Sequence, residues 1–114
     1  MIRVIKNYAI DGSFADYFCS NEFSCCRVTV KDTCPEIGFI STLVTDRDNR
    51  QCGHATCLMQ EVETYLYGEG CAKLSLQVKH LSWMESWYKG LGYERVADGY
   101  DEGMVIMSKK LESL

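Results

Sequence analysis

The run Thr45-Asp46-Arg47-Asp48-Asn49-Arg50-Gln51-Cys52-Gly53-His54-Ala55-Thr56-Cys57-Leu58-Met59 says more about this chain than any other stretch. A β-rich run from Ile37 to Thr45 enters it, a polar turn passes through Gly53, and an amphipathic helix follows at once. A helix that begins so abruptly leaves several backbone N–H groups without partners, and its dipole adds a partial positive charge there. Such a point binds phosphate or pyrophosphate. Gly53 has no side chain and Ala55 a small one, so a diphosphate can come close to the backbone. A turn glycine ahead of an ordinary core helix reads the same way, so the assignment needs a second signal.

The flanking segments define an alternation of strands and helices. After Gly53, the residues Ala55, Leu58, Met59, Val62, Tyr65 and Leu66 recur at helical spacing, while Gln60, Glu61, Glu63 and Thr64 face the other way. Tyr67-Gly68-Glu69-Gly70 ends this helix, with Gly68 expected as a left-handed cap. Leu74-Ser75-Leu76-Gln77-Val78 alternates as a strand. A full helix separates it from the strand Ile37 to Thr45, which predicts a right-handed βαβ unit with parallel strands. Upstream, Arg27-Val28-Thr29-Val30-Lys31 is a strand, Asp32 to Pro35 a turn, and Glu36 to Thr45 its antiparallel hairpin partner.

Ile2 to Ile5 reads as a short strand, and Asp11-Gly12-Ser13 followed by Phe14, Tyr17 and Phe18 as a short helix with a polar start. Ser82 opens a short helix to about Lys89, broken by Gly90 and Gly92. Two strands, Tyr93 to Ala97 and Met104 to Ser108, follow around the acidic turn Asp98-Gly99-Tyr100-Asp101-Glu102-Gly103. The tail Lys109 to Leu114 reads as solvated. The order β, α, β, β, α, β, α, β, β predicts an α/β fold with a mixed sheet in one domain, residues 1–114.

Composition narrows the function classes. Apolar residues make 46% and charged residues 25% of the 114, ordinary values for a globular domain with a single core. The apolar runs are too short to span a membrane, and no secretory signal opens the chain. A net charge of −4 argues against nucleic acid as a partner and suits a cationic substrate such as an amine. Seven cysteines occur without any C-x-x-C pair, and neither His54 nor His80 stands at zinc-site spacing from them. They read as reduced, structural thiols of a cytoplasmic protein, with no metal site. A thiol-based redox or metal protein is disfavoured because its spacing rules are unmet.

The second signal lies at Tyr88-Lys89-Gly90-Leu91-Gly92-Tyr93. With Arg50-Gln51-Cys52-Gly53-His54-Ala55, which fits the pattern [Arg/Gln]-x-x-Gly-x-[Gly/Ala], it resembles the GCN5-related N-acetyltransferase (GNAT) superfamily and its Tyr-x-x-Leu-Gly-[Phe/Tyr] segment. The resemblance runs from about Ile37 to Ser108, and helix, strand and helix separate the two motifs as in the family. It implies a mixed, splayed sheet flanked by helices, here with a shortened N-terminal region.

The resemblance further implies that backbone amides from Gln51 to Ala55, including Cys52, Gly53 and His54, hold the pyrophosphate of acetyl-CoA, with Arg50 adding charge. The strand Phe39 to Thr45 would pair with the pantetheine arm, splayed by a bulge near Leu43 and Val44, and one N–H of those two would meet the thioester carbonyl and its oxyanion. Thr45 ends that strand. Tyr88 corresponds to the family's general acid, returning a proton to the coenzyme A thiolate. Leu91, Gly92 and Tyr93 read as structural.

The chain also departs from the family. Leu81 stands where an asparagine is common, and Arg47 where a proline is. The strand before the loop offers Glu36 at its far end, then Ser41 and Thr42, so no base is assigned. The short N-terminal region would leave an open cleft, suited either to a large acceptor, such as a protein lysine or N-terminus, or to a homodimer that completes the site. The acidic turn Asp98 to Glu102 could attract a cationic amine, although a charged hairpin tip is more often a plain solvated turn. An alternative function is a non-catalytic module of the same fold that acts on a partner protein.

Overall fold

Alternating buried and exposed side chains, not helical stripes, organise the first 45 residues. The computed structural model describes residues 2–45 and 53–112. Four strands come first: β1 (Arg3–Tyr8), β2 (Phe14–Ser20), β3 (Ser24–Lys31) and β4 (Ile37–Thr45). Helix α1 (His54–Gly68), β5 (Lys73–Lys79), helix α2 (Trp83–Gly90), β6 (Glu94–Asp98) and β7 (Met104–Lys110) follow. All seven strands join one sheet in the order β1-β2-β3-β4-β5-β7-β6. Only β4 and β5 are parallel, as the intervening helix requires.

Three local expectations are corrected. The segment containing Phe14, Tyr17 and Phe18 is strand β2, not a helix. Its buried residues are Ala15, Tyr17 and Cys19, a period of two, and pairing with both β1 and β3 overrides the short helical spacing of the aromatics. Gly68 lies inside α1, and the left-handed residue after the helix is Gly70, with φ 103°. The tail is not fully solvated: β7 runs on to Lys110, and the buried Leu111 donates its N–H to the Ala72 carbonyl at 2.8 Å.

Both helices pack on one face of the sheet. Leu58, Met59, Val62 and Leu66 of α1 are buried with Ala15, Tyr17, Cys19, Cys26 and Val28 of the sheet. Glu63 of α1 accepts a hydrogen bond from the Tyr93 hydroxyl at 3.0 Å, and the Tyr88 ring of α2 meets the Tyr93 ring edge-on at 5.3 Å. Lys109 of β7 closes this junction with a 2.8 Å contact to the other Glu63 oxygen. On the opposite face Ile5 and Phe18, register partners, stay exposed, and no helix among the described residues covers them.

The sheet opens in its middle. Pairing between β4 and β5 runs from Ile37↔Lys73 to Ile40↔Leu76 and stops. Beyond it β4 stays with β3, and β5 stays with β7 as far as Lys79↔Met104. The expected bulge near Leu43 and Val44 lies instead at Ser41, because Arg27 pairs with Thr42 and Val28 with Ile40, leaving Ser41 over. Leu43 and Val44 pair regularly with Cys26 and Cys25. One extra residue immediately after the last β4–β5 pair bends β4 away.

Candidate active site

The parted strands leave a cleft of about 450 Å³ between the C-terminal halves of β4 and β5, closed on one side by α2. Its walls are Ile40, Ser41, Thr42 and Leu43 from β4, and Leu76, Gln77, Val78 and Lys79 from β5. Ser82, Trp83, Met84 and Tyr88 of the α2 region and Met104 of β7 complete it. Val78 and Tyr88 belong to the helix-covered face, while Lys79 and its partner Met104 alternate to the other. The gap therefore joins the two faces of the sheet. A ligand can enter from each side and the two can meet within it.

Tyr88 sits where the strands divide. Only 2% of the residue is exposed, and its ring packs edge-on against Trp87 at 4.9 Å and Tyr93 at 5.3 Å. Every fully buried side-chain polar atom among the described residues has a partner. The Tyr88 hydroxyl bonds to no other described residue and so is not fully buried; as Tyr88 lines the cleft, the hydroxyl is available to whatever fills the gap. Burial, with the nearby Cys26 thiol adding, raises its pKa well above the ordinary phenol value. The phenol is held protonated.

The end of the site at α1 has matching chemistry. Gly53 caps the helix with φ 82°, a left-handed conformation that favours glycine, and open space lies where a Cβ would be. No side chain caps α1, and no acidic residue occupies its first turn. The earliest α-helical bond runs from the Cys57 N–H to the Gly53 carbonyl at 3.0 Å, so the N–H groups of His54, Ala55 and Thr56 have no intrahelical partner. Asn21 anchors this helix start by donating to the His54 carbonyl at 3.0 Å, and the His54 ring rests on Phe23 at 4.3 Å. Arg50, Gln51 and Cys52 lie outside the described residues. Thr45 pairs with Ser24 at the end of β4, while Val44 is half-exposed and not among the cleft's lining residues.

The start of α2 forms the cleft's other lip. Ser82 is its N-cap: the hydroxyl accepts the Glu85 N–H at 3.3 Å and donates to the Lys79 carbonyl at 2.6 Å. The buried Glu85 carboxylate reaches back to the Leu81 N–H at 2.7 Å and to His80 Nδ1 at 3.1 Å. These bonds, the Leu81 N–H first, lower the Glu85 pKa. They also fix Leu81 at φ 61°, the one left-handed non-glycine residue described.

Across the cleft, Gln77 pins the β6–β7 turn. Its Oε1 accepts the Tyr100 N–H, and its Nε2 donates to Asp101 at 3.0 Å. A Cβ at Gly99 would meet Gln77 Oε1 at 2.9 Å and Met104 still closer, so the turn needs glycine to lie flat there. Asp98 is engaged by Arg95 at 2.8 Å. The acidic turn is thus held beside the cleft, and Gln77 is the residue that sequence reasoning missed. Its only signal was a polar side chain within an apolar strand. Among the described residues lining the cleft there is no carboxylate and no imidazole, so no base is assigned from the walls. No group of three or more metal-ligating side chains exists among the described residues, and Cys19, Cys25, Cys26, Cys34, Cys57 and Cys71 are free thiols.

No protein-family model and no curated protein matches the sequence. Solved structures do match. The ribosomal-protein-S18-alanine N-acetyltransferase from Escherichia coli superposes with a TM-score of 0.70 at 13% identity, over 100% of this chain and 96% of its own. An acetyltransferase of the GNAT family from Staphylococcus aureus gives 0.70 at 11% identity, over 93% and 72%. The PaiA N-acetyltransferase from Thermoplasma acidophilum, solved in complex with coenzyme A, gives 0.70 at 15% identity, over 88% and 62%. With its divided sheet, its parallel β4–β5 pair and two helices on one face, this chain has the fold of the GNAT N-acetyltransferases.

Proposed function

We propose that this protein is an acetyl-CoA-dependent N-acetyltransferase, joining donor and amine in one ternary complex. The observation that carries this reading is Tyr88, buried in the core yet lining the cleft at the point where β4 leaves β5. The uncapped start of α1 suits a diphosphate, and the unpaired edge of β4 beyond Ile40 suits an amide-bearing arm. Arg50, Gln51 and Cys52, outside the described residues, belong to the same proposed phosphate loop as Gly53, His54 and Ala55.

Acetyl-CoA supplies the activated acyl carbon. A neutral amine attacks that carbon, the C–S bond breaks, and the thiolate leaves. Tyr88 gives its hydroxyl proton to the departing sulfur and becomes a phenolate. The nitrogen, now cationic, releases the proton that restores the phenol, so the step balances without any further reactant. Holding the two substrates in one gap supplies proximity and orientation.

The sheet face that no described helix covers, with the β6–β7 turn beside its opening, favours a bulky acceptor such as a protein amine. Incubation with acetyl-CoA and a pool of amines, peptides and cell lysate, read by mass spectrometry, should give an acetylated product. The absence of a carboxylate or imidazole from the described cleft walls favours a second reading, a non-catalytic module that binds a partner. A folded protein that binds coenzyme A yet acetylates nothing in the pool would support that second reading.

A further inference from the structure

The largest unexplained feature beside the cleft is an indole in solvent. Trp83 is 74% exposed although it lines the gap, and its neighbour Leu81 is 85% exposed. An exposed indole lining a cleft, with a second exposed apolar side chain two residues away, marks a ligand contact more often than chance exposure. Trp83 is also fixed in place. It is the first residue of α2, behind the Ser82 cap, the Glu85 bond and the Leu81 turn. A backbone held in this way lowers the entropy lost when something stacks on the ring it carries.

The fold says which part of a ligand could reach it. Helices α1 and α2 begin at the C-terminal ends of the parallel strands β4 and β5, on the same sheet face. Gly53 and Trp83 therefore both stand at the C-terminal end of this strand pair. Tyr88 lies five residues further along α2, about 7–8 Å along its axis, so Trp83 belongs to the outer part of the site. A buried groove would suit a flexible arm, whereas an open indole suits a flat partner. The ligand of the reading above carries one flat aromatic group, and it adjoins the diphosphate.

We infer that Trp83 is the stacking platform for the adenine base of the nucleotide thioester. This rests on the coenzyme A reading and adds a base-binding residue to it. Base-on-aromatic stacking is a large effect by alanine substitution. Trp83→Ala should weaken coenzyme A binding by roughly five- to a hundredfold. Trp83→Phe, which keeps a ring, should stay within about threefold of the parent protein.

Calorimetry with two probes tests it: coenzyme A, and adenosine 5′-diphosphate 3′-phosphate, which lacks the arm. Both should lose affinity together in Trp83→Ala, with the melting temperature unchanged. In a Trp87→Phe background Trp83 is the only indole, and its fluorescence should be quenched by either probe. Unchanged coenzyme A affinity in Trp83→Ala overturns the inference while leaving the acetyltransferase reading intact. A loss for coenzyme A alone assigns Trp83 to the arm and overturns the adenine contact. No binding of either probe to the parent protein overturns both readings at once.

Discussion

Removing one oxygen from the molecule should separate catalysis from folding. In Tyr88→Phe the ring keeps its contacts with Trp87 at 4.9 Å and Tyr93 at 5.3 Å, so packing is conserved. The lost hydroxyl makes no bond to another described residue and is not fully buried, so its removal breaks no hydrogen bond within the described protein. Stability should be unchanged or higher by up to about 1 kcal/mol. Turnover, in contrast, loses its proton donor, which is expected to cost roughly ten- to a thousandfold, or about 1.4–4 kcal/mol of transition-state stabilisation.

Coenzyme A affinity should stay within about threefold, because in the proposed complex the hydroxyl meets only the reacting sulfur. The assay is release of free thiol from acetyl-CoA with the acceptor found by mass spectrometry, run beside a thermal melt. Burial holds this phenol above its ordinary pKa of ~10, so the parent enzyme should lose no activity through Tyr88 ionisation below about pH 10. Its rate should instead rise with pH as the acceptor amine deprotonates. A variant with full turnover would refute the assignment, as would a variant that loses activity only because it unfolds.

Other substitutions probe the frame around the cleft. A Cβ at Gly38 would sit 2.7 Å from Leu74 Cδ2 and 2.8 Å from Val28 Cγ1, so Gly38→Ala should overpack the β4–β5 junction by about 1–3 kcal/mol in a urea titration. Leu81 holds a left-handed backbone while its side chain buries little, so Leu81→Asn should raise stability by about 0.5–1 kcal/mol, seen as a higher melting temperature. Glu85 has a folded pKa lowered by the Leu81 N–H, so its stabilisation is present above its unfolded pKa and fades as pH falls through the folded one. Glu85→Gln should therefore be less stable near neutrality, with a flatter decline below about pH 4.5 in melts followed down to about pH 3.

Much of this arrangement was legible before any coordinates. The 3.6-residue spacing of Leu58, Met59, Val62 and Leu66 fixed α1, and alternation fixed β5, because each periodicity coincides with the face actually buried. Ser82 announced the start of α2, where its hydroxyl accepts the Glu85 N–H. Phe14, Tyr17 and Phe18 misled because three aromatics match a helical triplet, while the deciding residues were the smaller Ala15 and Cys19 on the inward face. Gly12, with φ 74°, belongs to the tight turn between β1 and β2.

The bulge at Ser41 was not legible, since register depends on which residues of β3 and β4 come to face each other. Tyr88 could be singled out from its motif, yet its free hydroxyl follows only from the three-dimensional parting of β4 and β5. Gln77 and Trp83 carried no signal that could be read alone. A polar residue in a strand and a tryptophan opening a helix acquire meaning only from the turn and the cleft beside them.

Titration calorimetry of the folded protein with coenzyme A addresses the main assertion without needing an acceptor. One site per chain, with a dissociation constant between about 1 µM and 1 mM, is the expected result. A folded protein that gives no binding heat at millimolar coenzyme A, or at millimolar acetyl-CoA, would contradict the account.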